Sequence, residues 1–572
     1  MNPRSDRAAG VFFPLFALRS DDDQGIGDTR ALHEAVDWCV DSGFKVLQIL
    51  PVNETSGDNS PYNAISALAL EPTTLSIRPG ELPGMDDALH VEVCSRHGFP
   101  SAGDDSVDYR RVRAFVRDAS FNAMDRLSDS EEHAFESFRQ AEAHWLNDYV
   151  LFRTLMEWNG QSPVWQSWPQ DHRSTPQARE WQQSLVGDER TAWLRMARYY
   201  AYLQWALYGQ WDAVHHHARQ AGVALMGDIP FGVSRHSADV WANPEWFDLE
   251  WSGGAPPEPF FQGDDFIRKW GQNWGIPCYR WDRMKESGYL WWRSRVAQVA
   301  RHFDIFRIDH VLGFYRLYSF PWTPDRNGEF VDHEPDTVRE IIGDVPRFLP
   351  HADDSPEGMK ANQQQGEELL RMILDAAGGA VVVGEDLGVV PDYVRPSLTS
   401  LGISGFKIPV FERIEATQEY KPSERYPVLS VLTLATHDHA PMKSLWEEWW
   451  RDYEEGRQAP DESECARRGT EQSWEIYRTQ RFLGLPDQTL YRHYEPVIRE
   501  RWIEKGLKAP CWLSIFMITD LFGWETRFNV PGPVADSNWS QRLPQTLASL
   551  QRDTPYHGMT EWMREKIQSA GR

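Results

Sequence analysis

Eight short runs of apolar residues, each closed by a polar or turn-forming residue, recur along the chain. They are 10–16 (GVFFPLF), 45–52 (KVLQILPV), 223–230 (VALMGDIP), 303–309 (FDIFRID), 380–385 (AVVVGE), 405–411 (GFKIPVF), 429–436 (LSVLTLAT) and 511–519 (CWLSIFMIT). Runs of this length without strict alternation suit strands buried on both faces, and helix-period stretches lie between them. Eight buried strands alternating with helices predict an α/β fold, a (β/α)8 TIM barrel with helical insertion subdomains on the catalytic face. The spacing is uneven. About 170 residues separate the second run from the third, with charged helical pattern at 130–140 and 191–208. Residues 53–219 are therefore expected to form a mostly helical insertion, and 1–52 with 220–572 the barrel. Two further excursions interrupt it. Residues 241–290 carry a Gly/Pro-rich segment, 252–265 (SGGAPPEPFFQGDD), that reads as a loop; 325–365 is polar and ends in a stretch, 353–365, expected to be mobile.

The formal charge of −26 disfavours nucleic acid and anionic membrane as partners, because both require basic patches. Tryptophan is abundant, at 27 residues. Its flat apolar faces suit the C–H faces of sugar rings, although core filling uses the same residue. Five scattered cysteines without CxxC spacing suggest neither a disulfide framework nor a zinc site, so a reducing, cytoplasmic setting is expected, with no metal and no cofactor. An apolar stretch at 8–18 follows Arg7 but is broken by Pro14 and followed by Asp21, Asp22 and Asp23, so it reads as a strand rather than a leader. Three consecutive histidines, His215, His216 and His217, fall in helical pattern and point in different directions, which argues against one shared ion.

In such barrels the chemistry sits at the C-terminal ends of the strands. Four ends stand out: Asp228 in MGDIP, Arg307 and Asp309 in FRIDH, Glu385 and Asp386 in GED, and His437 and Asp438 in THDH. Carboxylates converging on one cavity push their pKa values apart, which lets one act as nucleophile while another holds a proton. Arg307 and Asp309 alternate on a strand and share a face, so the guanidinium lies beside the carboxylate and keeps it ionised. Asp386 and Asp392, by contrast, are expected to serve as helix N-caps.

FRIDHV (306–311), GEDLG (384–388) and THD (436–438) resemble, in this order, the signature segments of glycoside hydrolase family 77, the amylomaltases. GIGD (25–28), SPYNAISALAL (60–70), GDIP with SADVW (227–230 and 237–241), WGIPCYRWD (274–282), NVPG (529–532) and NWSQRLP (538–544) extend the resemblance over nearly the whole chain. It implies 4-α-glucanotransferase activity, in which a maltooligosaccharide segment passes to glucose or another glucan through a covalent glucosyl-Asp intermediate. It also implies Asp309 as nucleophile, Glu385 as general acid/base and Asp438 as transition-state stabiliser. Arg307, His437, Tyr62, Asp228, Trp274, His310 and Asn538 match sugar-contacting positions. The alternatives are an α-1,4-glucan hydrolase with the same carboxylates and, more remotely, a non-catalytic carbohydrate-binding protein. Three departures from the family pattern bear on acceptor choice: GAPPE at 254–258 where GAPPD is usual, Ile276 in place of Asn, and His236 in place of Asp.

Overall fold

The computed structural model of the chain describes residues 2–3, 5–99, 104–257, 264–461, 463–486, 488–532 and 536–572. Among these, twelve strands form two sheets. In chain order they are β1 (Ala8–Phe12), β2 (Val46–Gln48), β3 (Ala224–Ile229), β4 (Phe247–Ala255), β5 (Gln272–Tyr279), β6 (Ile305–Ile308), β7 (Leu317–Phe320), β8 (Arg347–Leu349), β9 (Val381–Gly384), β10 (Gly405–Lys407), β11 (Ser430–Thr433) and β12 (Leu513–Met517). The larger sheet runs β10-β11-β12-β1-β2-β3-β6-β9 with every pairing parallel. A parallel bridge between Val383 and Ser404 draws β9 towards β10, so the eight strands wrap into the expected (β/α)8 barrel. Trp512, fully buried just before β12, donates its indole N–H to Ser404 Oγ at 2.7 Å and ties that seam to a strand two places away.

Each of the eight apolar runs holds all or most of one barrel strand, and five of the strands stop two or more residues before the run does. The surplus residues are the turns at the C-terminal rim, which carry the polar groups discussed below. Local chemistry sets the flanking helices. Thr29–Ser42 starts on Asp28, whose side chain accepts from Ala31 N, and stops at Gly43 in the left-handed conformation.

Residues between β2 and β3 hold a succession of helices, and the last, Gly187–Ala221, lies against the barrel. Its Gln210 accepts from Thr29 Oγ1 at 2.6 Å, and its Gln204 accepts from Leu70 N at 2.8 Å. The helix therefore ties Thr29–Ser42 to the segment carrying Tyr62.

Two readings of the sequence need correction. The excursion 241–290 is not simply loop, because β4 and β5 within it pair antiparallel and join β7 and β8 in a second sheet, β5-β4-β7-β8. Gly253 and Gly254 belong to β4: a Cβ on Gly253 would stand 2.7 Å from Leu317, so glycine here marks close packing rather than a turn. Residues 258–263 lie outside the described residues. The stretch 353–365 is also ordered. The helix Pro356–Ala376 begins within it, capped by Ser355, whose hydroxyl accepts from Gly358 N. No helix among the described residues is long and apolar enough to cross a membrane.

Candidate functional site

The barrel's pairing register carries the polar groups to one level. Asp228 of β3 is the register partner of Arg307 of β6, and Ile308 of β6 is the partner of Gly384 of β9. Asp309 and Glu385 thus follow paired residues on adjacent strands, which run about 4.8 Å apart. Arg307 is buried and forks between two carboxylates, giving Nη1 to Asp228 Oδ2 at 2.5 Å and Nη2 to Asp309 Oδ1 at 2.7 Å. The Tyr62 hydroxyl donates to the same Asp228 oxygen at 2.7 Å. Burial, with the Asp309 charge adding, pushes the Asp228 carboxyl up to about 6 in spite of Arg307.

Glu385 is 8% exposed. Its Oε2 accepts from His310 N at 2.9 Å and its Oε1 from Leu387 N at 2.8 Å, so the backbone on both sides fixes the carboxyl plane. Burial and the neighbouring Asp309 charge raise its pKa from 4.5 to about 7, although Arg307 and the two N–H groups oppose the rise. The donor at 310 is available because His310 adopts φ 44°, a left-handed conformation that turns its N–H towards β9.

The third carboxylate is set differently. In the turn after β11, Thr436 Oγ1 contacts His439 Nδ1 at 2.7 Å and receives Asp438 N at 3.4 Å, which shapes the THDH segment. Asp438 Oδ1 accepts from Asn529 Nδ2 at 2.6 Å, and Oδ2 lies 3.3 Å from His437 Nε2. Burial works against ionisation here, but His437 and Asn529 outweigh it and hold the carboxyl well below the usual range. Tyr62 and His437 stack with centroids 5.0 Å apart, and Trp539 packs within 6 Å of both rings. Asp228, Arg307, Asp309, Glu385, His437, Asp438 and Tyr62 therefore line one rim, with two raised carboxyls and one depressed one.

Comparison with known proteins fits this geometry. The 4-alpha-glucanotransferase family, glycoside hydrolase family 77, matches residues 13–547. The chain belongs to this family. It is an enzyme of the glycoside hydrolase type with α-glucan transfer as its reaction. The 4-alpha-glucanotransferase of Chlamydia pneumoniae is 30% identical over 574 residues, covering 96% of this chain and 94% of the relative. The Thermus thermophilus 4-alpha-glucanotransferase is 27% identical, covering 90% of each. The fold is similar to that of the amylomaltase of Streptococcus agalactiae, solved in complex with acarbose (TM-score 0.73, 22% identity, 99% of both chains). It is also similar to the Corynebacterium glutamicum amylomaltase (TM-score 0.76, 22% identity, 100% of this chain and 76% of that one).

The remaining positions singled out by likeness to 4-alpha-glucanotransferases fall at different distances from the rim. Trp274 lies edge-on to His310 with centroids 5.0 Å apart and is 39% exposed, so one ring face stays open. His310 itself is half-buried, and desolvation pushes its pKa down to about 4, leaving a neutral imidazole beside Asp309. Asn538 grips backbone: its side chain accepts from Val530 N at 3.0 Å and donates to Val530 O at 3.2 Å, which steadies the residue after Asn529. Asp386 is not an N-cap. Its Oδ1 accepts from Phe406 N at 2.6 Å and its Oδ2 from Arg395 Nε at 2.9 Å, linking β10 to the GED turn, and Gly405 leaves the space it occupies. The helix Val394–Leu401 has no side-chain cap, so Asp392 does not fill that role either.

Sequence reasoning did not single out Asn529, Arg527 or Trp539. Arg527 donates to Asp438 O at 2.9 Å. Asn529 and Trp539 stand inside the NVPG and NWSQRLP segments, and that placement was the available signal.

Two of the family departures have structural roles. Ile276 wedges under Gly232 and Gly253, where any Cβ would collide with it, so it joins the turn after β3 to the small sheet. His236 Nδ1 lies 3.1 Å from Gln166 Oε1 and ties that turn to the helical insertion. The third departure, Glu258, lies outside the described residues.

Proposed function

We propose that the enzyme transfers α-1,4-glucan segments by two displacements at one anomeric carbon, through a covalent glucosyl-Asp309 intermediate. Glu385 protonates the leaving glycosidic oxygen while Asp309 attacks C1; the C1–O bond breaks and the C1–Oδ bond forms. Glu385, now a carboxylate, then takes the proton from an acceptor 4-hydroxyl, which displaces Asp309 and restores the α-linkage. The observation that carries this reading is the placement of Asp309 and Glu385 directly after register partners on adjacent strands. Strands about 4.8 Å apart suit the roughly 5–5.5 Å carboxyl separation of retaining enzymes, not the roughly 6.5–9.5 Å that admits a water.

Asp438 is assigned to hold donor hydroxyls as charge develops, because Asn529 and His437 keep it ionised. Arg307, donating to Asp309 Oδ1, orients that carboxylate for attack. Tyr62, stacked on His437, supplies an apolar platform for the sugar at the cleavage point; Asp228 anchors Tyr62 and Arg307 beneath it. Trp274 and the neutral His310 form the acceptor side, where a ring face favours sugar over water. The partners are uncharged maltooligosaccharides.

Two measurements on maltotriose test this. Chromatography should show glucose together with a ladder of longer chains, and Asp309→Asn should abolish it. Proton NMR of the first products should show the α-anomer. A β-anomer, or full activity in Asp309→Asn, overturns the mechanism.

A further inference from the structure

Away from the rim, a cavity of about 740 Å³ opens between the helix Ala143–Trp158 of the insertion and the helix Leu290–His302 on the outside of the barrel. None of the residues gathered at the strand ends lines it. We infer that this cavity is a second α-glucan-binding site, one that holds the enzyme on long or branched substrate while the barrel rim does the chemistry. The inference rests on the proposed reading of the chain as acting on α-glucans.

Three observations select an uncharged polyhydroxyl chain as the occupant. The first is the lining: Trp145, Trp246 and Trp291 contribute indole rings, and Leu68 and Ala242 extend the apolar surface. Two of the indoles spend their N–H groups inside the protein, Trp145 on Glu142 at 2.6 Å and Trp291 on Asp239 at 2.9 Å, and lie mostly buried as the apolar floor, so Trp246 supplies the more open ring face. Such faces take the C–H side of a pyranose.

The second observation is the rim. His144 and Ser294 sit 3.3 Å apart across the two helices, and Asn243 and Gln298 stand beside them, a set of short polar groups able to exchange hydrogen bonds with hydroxyls. The third is charge. The ionised side chains at the cavity wall have partners among the described residues: Glu142 with Arg301 at 3.1 Å, Asp148 with Arg179 at 2.6 Å, and Arg293 with Asp375 at 4.0 Å. A phosphate or carboxylate ligand finds no cation without an acidic partner there, and the chain as a whole carries −26. The volume falls within the range of ordinary small-ligand pockets, roughly 300–1,000 Å³.

The test uses the full-length enzyme and two variants. Trp246→Ala removes a ring from the wall. Ala297→Arg places a long side chain in the mouth from an exposed helical position and leaves the core untouched. Each is run on native gels with and without glycogen and assayed on maltotriose and on amylose. The wild type should be retarded by glycogen. Both variants should lose most of that retardation, about fivefold to tenfold in apparent affinity, and show a raised KM for amylose with kcat unchanged. Transfer from maltotriose should stay at the wild-type rate in Ala297→Arg. Wild-type retardation in both variants overturns the inference, as does a loss of retardation that always accompanies loss of maltotriose transfer. Failure of the wild type itself to make the maltotriose ladder overturns the functional reading instead, so the two failures are distinct.

Discussion

Replacing Glu385 by glutamine should separate the two displacements of the proposed mechanism. Burial and the Asp309 charge lift the Glu385 carboxyl from 4.5 to about 7. At about 1.4 kcal/mol per pKa unit the lift is worth roughly 3 kcal/mol, and it changes the acid form at pH 7 from about one molecule in 300 to about one in two. In the proposed mechanism that population protonates the leaving sugar. Glu385→Gln should therefore lower transfer from maltotriose by about 10²–10⁴-fold. With α-maltosyl fluoride the leaving group needs no proton, so attack by Asp309 survives. The second step, which needs a base, then stalls. Intact mass spectrometry should show the variant gaining one glycosyl unit, localised to Asp309 by peptide mapping. In the wild type, kcat/KM on maltotriose should hold below pH 7 and fall about tenfold per unit above it, and the variant on the fluoride should lack that limb. Wild-type turnover of maltotriose by Glu385→Gln, or a basic limb below pH 5 in the wild type, refutes the assignment. Stability moves with the same proton. A carboxyl raised in the folded state stabilises fully below its unfolded value near 4.5, and that contribution is lost as pH rises through about 7. Glutamine removes this dependence. Its amide can satisfy only one of the two N–H groups, His310 N and Leu387 N, that now bind separate oxygens, so the variant should melt below wild type at pH 5 and near it at pH 8.

Arg307→Lys loses the fork between Asp228 and Asp309, since an ammonium offers no planar pair of donors; kcat should fall about 100-fold or more, with a smaller change in melting temperature. Asn529→Ala removes the 2.6 Å donor to Asp438 and should cost about tenfold in kcat/KM, with little change in KM for the acceptor, as read from glucose-acceptor kinetics. Trp274→Ala should raise the ratio of hydrolysis to transfer on maltotriose, and an unchanged ratio removes the tryptophan from the acceptor side. Asp520 is buried, with Oδ1 on Met442 N at 2.8 Å and, among the described residues, no partner for Oδ2, and burial raises it from 3.8 to about 7. Relative to wild type, Asp520→Asn should gain stability as pH rises from 5 to 8, by about 3 kcal/mol, in denaturant titrations at the two pH values.

What could be read from the sequence was what leaves a composition signal at single positions. Barrel strands such as β12 are buried at every residue, and a fully buried strand must be apolar throughout. The small sheet left no such trace. β4 alternates irregularly between buried and open, and its Gly253 and Gly254 imitate a loop because their purpose, making room for Leu317 and Phe320, depends on strands that arrive later in the chain. The helix Pro356–Ala376 was hidden for another reason: its first turns are polar and its apolar face begins only near Leu369. Its Ser355-Pro356 start was the local signal for a helix N-terminus.

The candidate site divides along the same line. Which acids end which strands follows from the order of the runs, but their protonation does not, because it is decided by burial and in part by groups far away in sequence. Arg307 serves Asp228 and Asp309 from one strand, Asn529 reaches Asp438 across 91 residues, and the His310 N–H meets Glu385 across 75. Asp438 keeps a cation-capable ring and an amide against it, whereas Glu385 has two backbone donors in deep burial and a like charge beside it. Donors of similar length thus produce opposite outcomes: burial and the Asp309 charge prevail at Glu385, while His437 and Asn529 prevail at Asp438. Separating the two carboxyls in this way lets one rim carry an acid and a fixed anion at the same pH, which glycosyl transfer with retention requires.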